Sequence, residues 1–178
     1  MRTAQKHFLP VTALLLFSSI GFAQPDTLNL QERNKQLVLL INDLFNRNMP
    51  EQAMRYFSDS LVKMGDINGK SFFRAINDDI QQTFPDVQTR ITRLWADGDW
   101  VIADCIFSGT HRGIATLPHH GGLLIGKEPT NKPFKVQHIR MYRISKGRIV
   151  ERRAVRDDVG MYQQLGLLPQ PAPIVKPN

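Results

Sequence analysis

Two stretches near the C-terminal end carry the residue types that proton transfer beside a carbonyl requires. One runs from Gly147 to Gly166, and its first half alternates, so Ile149, Glu151, Arg153, Val155 and Asp157 share one strand face. Its second half reads as a short helix, opened by an aspartate and stopped by Gly166. The other runs from Phe134 to Ile144 and places His138, Arg140 and Tyr142 two residues apart. If Lys146-Gly147 is a two-residue turn, Ser145 pairs with Arg148. His138 then opposes Val155, Arg140 opposes Arg153 and Tyr142 opposes Glu151, with Asp157 diagonal to His138. One face thereby collects His138, Arg140, Tyr142, Glu151, Arg153 and Asp157. A carboxylate in a partly dry site is an acid/base, and arginines beside it hold an anionic group or an enolate. Asp157 and His138 are the candidate acid/base groups, and Arg140, Tyr142 and Arg153 the candidate ligand-binding groups. Helix capping or an arginine pair is the competing role for Asp157, and Asp158 competes for the same cap.

His111 follows Gly-Thr near a strand end and is placed at the mouth of the same pocket. With His119, His120 and His138 it raises the question of a metal. Adjacent histidines in a strand point to opposite sides, and no carboxylate stands at helical ligand spacing from them, so no metal and no other cofactor is expected. Glycine-rich phosphate loops, Gly-x-Ser-x-Gly elbows and Cys/His nucleophile pairs do not occur. Cys105 is the only cysteine and lies in an apolar strand pattern, as a buried structural thiol does.

The elements that must position these groups divide into helices, then strands. Asn29 to Glu32 fits a capping box, and Leu37, Leu40, Ile41, Leu44 and Phe45 recur at helical spacing up to about Arg47. Pro50 opens a short second helix ending near Phe57, and Ser60 to Met64 reads as a short strand. A third helix spans Lys70 to Thr83, with Asp78 and Asp79 near its outer face. From Val87 the period becomes two: strands Val87–Trp95 and Trp100–Thr110 meet at Asp97-Gly98, a hairpin signal. Ile114 to Lys132 is a long loop or a frayed strand. The predicted class is α+β, three helices packed against one curved antiparallel sheet.

The first 23 residues read as a leader: Arg2 and Lys6, an apolar run from Phe8 to Phe22, then Gly21-Phe22-Ala23, with cleavage expected after Ala23. Residues 24–169 form the domain and 170–178 a proline-rich tail. The product is exported, to the periplasm or beyond, with no stable membrane span after processing. Loss of the leader removes two basic residues and no acidic one, so the net charge of +7 falls to +5. The basic residues lack the stripe and reading element that nucleic-acid binding needs, which excludes that partner.

In chain order, the segments Tyr56-Phe57, Phe84-Pro85-Asp86, Ala96-Asp97-Gly98-Asp99, Ser108 to Gly113, Pro129 to Lys132, Gly147 to Glu151, Asp157 and Gln164-Leu165-Gly166 follow a pattern. The chain resembles the SnoaL-like polyketide cyclases, or ester cyclases, of the nuclear-transport-factor-2-like superfamily over residues about 45–169. The resemblance implies a cone-shaped α+β (cystatin-like) domain with a small-molecule pocket between sheet and helices. It also implies cofactor-free acid/base chemistry, aldol cyclisation or isomerisation, with the family's aspartate falling on Asp157. Departures cluster around that pocket: Arg152-Arg153 replace His-Trp, Asp104 stands where an arginine is usual, and the loop from Gly113 to Gly126 is longer and holds Pro118-His119-His120. A cyclase or isomerase acting on a small carbonyl compound is one reading. A non-catalytic protein binding an apolar or anionic small molecule is the alternative, and a homodimer packed sheet to sheet is a third possibility of organisation.

Overall fold

The computed structural model describes residues 25–63, 66, 67 and 69–170. The expected leader and nearly all of the expected tail lie outside them. Helices α1 (Pro25–Asn46), α2 (Pro50–Met54), α3 (Gly69–Thr83) and α4 (Asp158–Leu165) accompany strands β1 (Phe57–Lys63), β2 (Asp66–Ile67), β3 (Gln88–Asp97), β4 (Trp100–Thr110), β5 (Pro133–Ser145) and β6 (Arg148–Arg156). The strands form one curled sheet in the order β2-β1-β6-β5-β4-β3. The four long strands from β3 to β6 are antiparallel as their alternation predicts, while β1 joins β6 in parallel and makes the sheet mixed.

The hairpins form where the turn chemistry places them. Asp97 pairs with Trp100 across Gly98, which has a φ of 55°, and Ser145 pairs with Arg148 across Lys146 and Gly147, at 50° and 71°. Helix α1 starts earlier than the capping-box reading, at Pro25, because proline at a first helical position needs no amide hydrogen and presets φ. Asn29 is therefore inside the helix. Strand β1 likewise begins at Phe57, before the expected Ser60.

The register of β5 and β6 departs from the sequence reading. Ile144 opposes Ile149, but Arg143 opposes Glu151, so Val150 is an extra residue and the ladder slips by one beyond it. Arg140 then pairs with Ala154, Tyr142 with Arg152 and His138 with Arg156. Because side chains alternate, that slip exchanges the two faces of β6 from Glu151 onward. Arg152, Ala154 and Arg156 share the inner face with His138, Arg140 and Tyr142. Glu151, Arg153 and Val155 turn outward.

Two buried clusters fill the space between sheet and helices. Val38, Ile41, Leu44, Phe57, Phe73, Val101 and Ile149 form one, under α1 to α3. Phe84, Phe107, Leu124, Phe134, Met161, Tyr162 and Leu165 form the other, around α4 and the long loop. At the end of α1, Asn46 mimics a strand against the edge of β3: its Oδ1 accepts from the Thr89 amide at 2.8 Å and its Nδ2 donates to the Thr89 carbonyl at 2.9 Å.

Asp79 anchors the long loop to α3. Asp79 does not face solvent as its expected place on the outer side of α3 suggests; it is buried, three residues after Ile76 on the apolar stripe. Its carboxylate accepts from the Thr116 amide at 3.0 Å, the Leu117 amide at 3.2 Å and the Thr116 hydroxyl, and lies 2.8 Å from His119 Nε2. Burial alone would raise its pKa, but these hydrogen bonds hold it below the ordinary carboxylate value. Gly113 brings the loop onto the end of α3, where its amide and that of Arg112 reach the Thr83 carbonyl, both at 3.0 Å. A Cβ at Gly113 would strike the Gln82 carbonyl oxygen.

Two outcomes follow for stability. Asp79→Asn keeps the shape but removes the charge from several buried hydrogen bonds, and should cost roughly 2–4 kcal/mol. Burial depresses the His119 pKa from 6.5 to about 4, so the unfolded chain takes up the proton first as pH falls. Stability from this group is complete above 6.5 and lost on the way down to about 4. Between pH 7.5 and 5, His119 alone lowers stability by about 2 kcal/mol. Urea unfolding of wild type and Asp79→Asn at pH 7.5 and pH 5 measures both. Midpoints independent of the substitution or of pH would contradict this description of the loop.

Candidate active site

A cavity of about 180 Å³ lies between the inner face of β4 to β6, the ends of α1 to α3 and the long loop. Phe45, Phe57, Phe73, Ile76, Ile80, Val87 and Phe107 give it apolar walls. Its polar wall is built from β5 and β6 by His138, Arg140, Tyr142, Arg152 and Arg156, with His119 and His120 added by the loop.

His120 is fixed from three sides. Its backbone has a φ of 50° and sits beside Gly121 at 75°, its carbonyl accepts from the Tyr162 hydroxyl, and its ring stacks on Phe107 at 5.2 Å. Its Nδ1 lies 2.9 Å from Asp158 Oδ1. Arg156 donates to the same carboxylate, from Nε and Nη2 at 3.2 Å. Burial would raise the Asp158 pKa, but the bonds from His120 and Arg156 outweigh it and hold the carboxyl at about 2. An ionised Asp158 accepts, so Nδ1 of His120 carries the hydrogen and Nε2 is left to take a proton. Burial lowers the His120 pKa and keeps the ring neutral near pH 7.

His138 stacks on the same Phe107 ring, at 4.6 Å, and its buried Nε2 has no hydrogen-bond partner among the described residues. Burial, with Arg140, His120 and Arg156 nearby and only Asp158 opposing them, pushes its pKa down to about 2. It is neutral near pH 7 and stands on the cavity wall as a hydrogen-bonding group. Arg140 donates from Nη2 to the Thr89 hydroxyl at 3.0 Å and lies over Phe107. Arg152 lies over Phe73 at 5.0 Å and over Tyr142 at 5.9 Å.

Three of the sequence-derived candidates stand on this wall: His138, Arg140 and Tyr142. The others do not. Asp157 is exposed and caps α4, its Oδ1 accepting from the Gly160 amide at 2.8 Å. A Cβ at Gly160 would collide with that carboxylate. Arg153 is half exposed on the outer face, where it and Arg143 hold Glu151 at 2.6 and 3.2 Å and its guanidinium lies over Trp100. The slip at Val150 is the reason for both. His111 is buried away from the cavity, its Nδ1 accepting from the Thr130 amide at 3.2 Å and its ring against Phe84. It ties the end of β4 to the segment before β5.

Sequence reasoning missed His120, Asp158, Arg152 and Arg156 as a group. The loop histidine meets α4 only through tertiary packing, and Val150 is a good strand residue with nothing to mark it as a bulge. His120, His138 and Asp158 also offer ligand atoms within 4.8 Å of one another, as a metal site would. Arg156 already neutralises Asp158, and Arg140 adds positive charge beside them, so a divalent cation would be repelled where an anion is attracted.

The sequence model of the SnoaL-like polyketide cyclase family matches residues 35–165. Comparison with curated protein sequences gives no match. Among solved structures, the chain is similar to AclR, a candidate hydroxylase from Streptomyces galilaeus, at 20% identity, with 78% of this chain and 99% of that one covered and a TM-score of 0.68. It is similar to TsrD from Streptomyces laurentii at 20% identity, with 78% and 98% covered and a TM-score of 0.66. A SnoaL-like polyketide cyclase from Agrobacterium tumefaciens shares 19% identity over 75% and 98% of the two chains, with a TM-score of 0.62. At these identities the structures speak for the fold, and the family match covers every residue that lines the cavity. The chain belongs to the SnoaL-like polyketide cyclase family.

Proposed function

We propose that the protein is a cyclase-type enzyme that moves a proton beside the carbonyl of a small molecule, by aldol cyclisation or isomerisation and without a cofactor. Family membership supports cyclase-type function on a small-molecule substrate. The observation that carries the chemistry is the His120–Asp158 hydrogen bond behind the cavity wall. Nε2 of His120 takes the proton from the carbon next to the carbonyl, and the C–H electron pair becomes an enolate. Arg140 offers charge to the enolate oxygen, and neutral His138 offers a hydrogen bond. In an aldol closure the carbon then attacks a second carbonyl of the same molecule, and His120 returns its proton to the new alkoxide. In an isomerisation it returns the proton to another carbon. Asp158 does not touch the substrate; it fixes the tautomer and orientation of His120.

A pocket that binds without turning over is the second reading, favoured by Arg140 and Arg152, which need no chemistry to hold a ligand. The two separate by solvent deuterium exchange into a panel of one-ring ketones and keto acids. His120→Gln should lower exchange ~10²–10⁴-fold with the fold intact. Asp158→Asn should lower it too and change its pH profile, because His120 loses the acceptor that fixes its tautomer. Asp157→Asn should leave it unchanged. Exchange by His120→Gln at the wild-type rate would remove His120 as the base, and bound ketone with no exchange in wild type would leave the binding-only reading.

We also infer that the chain is exported and that residues 1–23 are removed. The basic start, the apolar run from Phe8 and the small residues at Gly21 and Ala23 support this. No helix among the described residues is long and apolar enough to cross a membrane. Mass spectrometry of the protein recovered outside the cytoplasm should find Gln24 at its start; recovery there with Met1 intact would overturn the inference.

A further inference from the structure

The cavity wall holds more positive charge than its own carboxylates balance. Arg140, Arg152 and Arg156 lie on one face of β5 and β6, and Ala154, directly opposite Arg140, leaves an open place between Arg152 and Arg156. In such a ladder the diagonal neighbours of Arg140 are Arg152 and Arg156, roughly 7–8 Å away. Arg156 is neutralised by Asp158. Arg140 and Arg152 form no ion pair among the described residues; Arg140 has the Thr89 hydroxyl and the Phe107 face, and Arg152 has Phe73 and Tyr142. Asp78 also borders the cavity, but Arg74 holds it at 2.8 Å. The buried Nε of Arg140 and Nε2 of His138 have no hydrogen-bond partner among the described residues. Unneutralised guanidinium groups gathered at an apolar cavity call for an anion, and planar guanidinium suits a carboxylate.

The remaining lining sets the size and character of the rest of the ligand. An apolar cavity of about 150 Å³ holds one benzene ring. The 180 Å³ here, bounded by Phe57, Phe73 and Phe107, therefore takes about one ring with a short substituent and not a fused polycycle.

We propose that the ligand of this cavity is a small keto acid of about one ring, its carboxylate held by Arg140 and Arg152 and its apolar body set against Phe57, Phe73 and Phe107. The ketone rests on the acid/base reading given above; the carboxylate does not.

Titration calorimetry with phenylpyruvate and with its methyl ester tests the carboxylate directly, since the two differ in charge and little in shape. Wild type should bind the acid ~10-fold or more tighter than the ester, the worth of one charge-assisted hydrogen bond. Arg152→Gln and Arg140→Gln should each reduce that preference, and Arg152→Lys should keep part of it, with thermal melts showing that each variant is folded. Equal binding of acid and ester, or binding of neither at millimolar concentration, overturns the proposal. So does an acid preference that survives in both glutamine variants. Deuterium exchange into phenylpyruvate in the same samples keeps the two readings apart. Acid preference without exchange supports the clamp and defeats the catalytic reading, whereas exchange without acid preference defeats the clamp alone.

Discussion

One extra residue in β6 decides which side chains meet the cavity. Where Val150 bulges out of the ladder, the inward and outward faces of the strand exchange, and Arg152, Ala154 and Arg156 come to stand opposite Tyr142, Arg140 and His138. The outward face that results is internally satisfied, with Glu151 held between Arg143 and Arg153. On the inward face Arg156 pairs with Asp158, while Arg140 and Arg152 form no ion pair among the described residues. The slip also sets the phase at which β6 runs into α4, so that Asp157 caps the helix outside and Asp158 reaches His120.

The second constraint comes from α3. A carboxylate on the apolar side of a helix is costly unless its acceptor sites are filled, and the loop from Gly113 to Leu117 fills those of Asp79 with two amides and a hydroxyl. That contact brings His119 and His120 over the sheet, where Phe107 stacks against His120 on one strand position and His138 on another. The loop thus supplies two histidines with a carboxylate behind them and a place on the cavity wall, His119 against Asp79 and His120 against Asp158.

Much of this architecture is legible in the chain. The change of period after Phe84, the Asp97-Gly98 and Lys146-Gly147 turns and the apolar stripes of α1 and α3 all form as local physics dictates. The cavity-lining half of β5 is legible for the same reason, since alternation with a buried Val136 and Ile144 fixes its face. The partner strand is not. Ile149, Val150 and Glu151 alternate as any half-buried strand would, and the bulge arises from how β6 must fit β5 on one side and β1 on the other. Asp79 had a signal, its place three residues after Ile76 and four before Thr83, and a helical wheel shows it on the apolar face. For His120 the sequence showed only that its loop borders the pocket, because its partner Asp158 is met through packing against α4 far along the chain.

The central claim is the slip at Val150, and cross-strand nuclear Overhauser effects between backbone protons of isotopically labelled protein test it most directly. The account predicts that Arg153 is read opposite Met141 and Ala154 opposite Arg140, with Ile149 still opposite Ile144. Contacts pairing Arg153 with Arg140 and Glu151 with Tyr142 would contradict it, and would return Arg153 and Asp157 to the cavity side of the sheet.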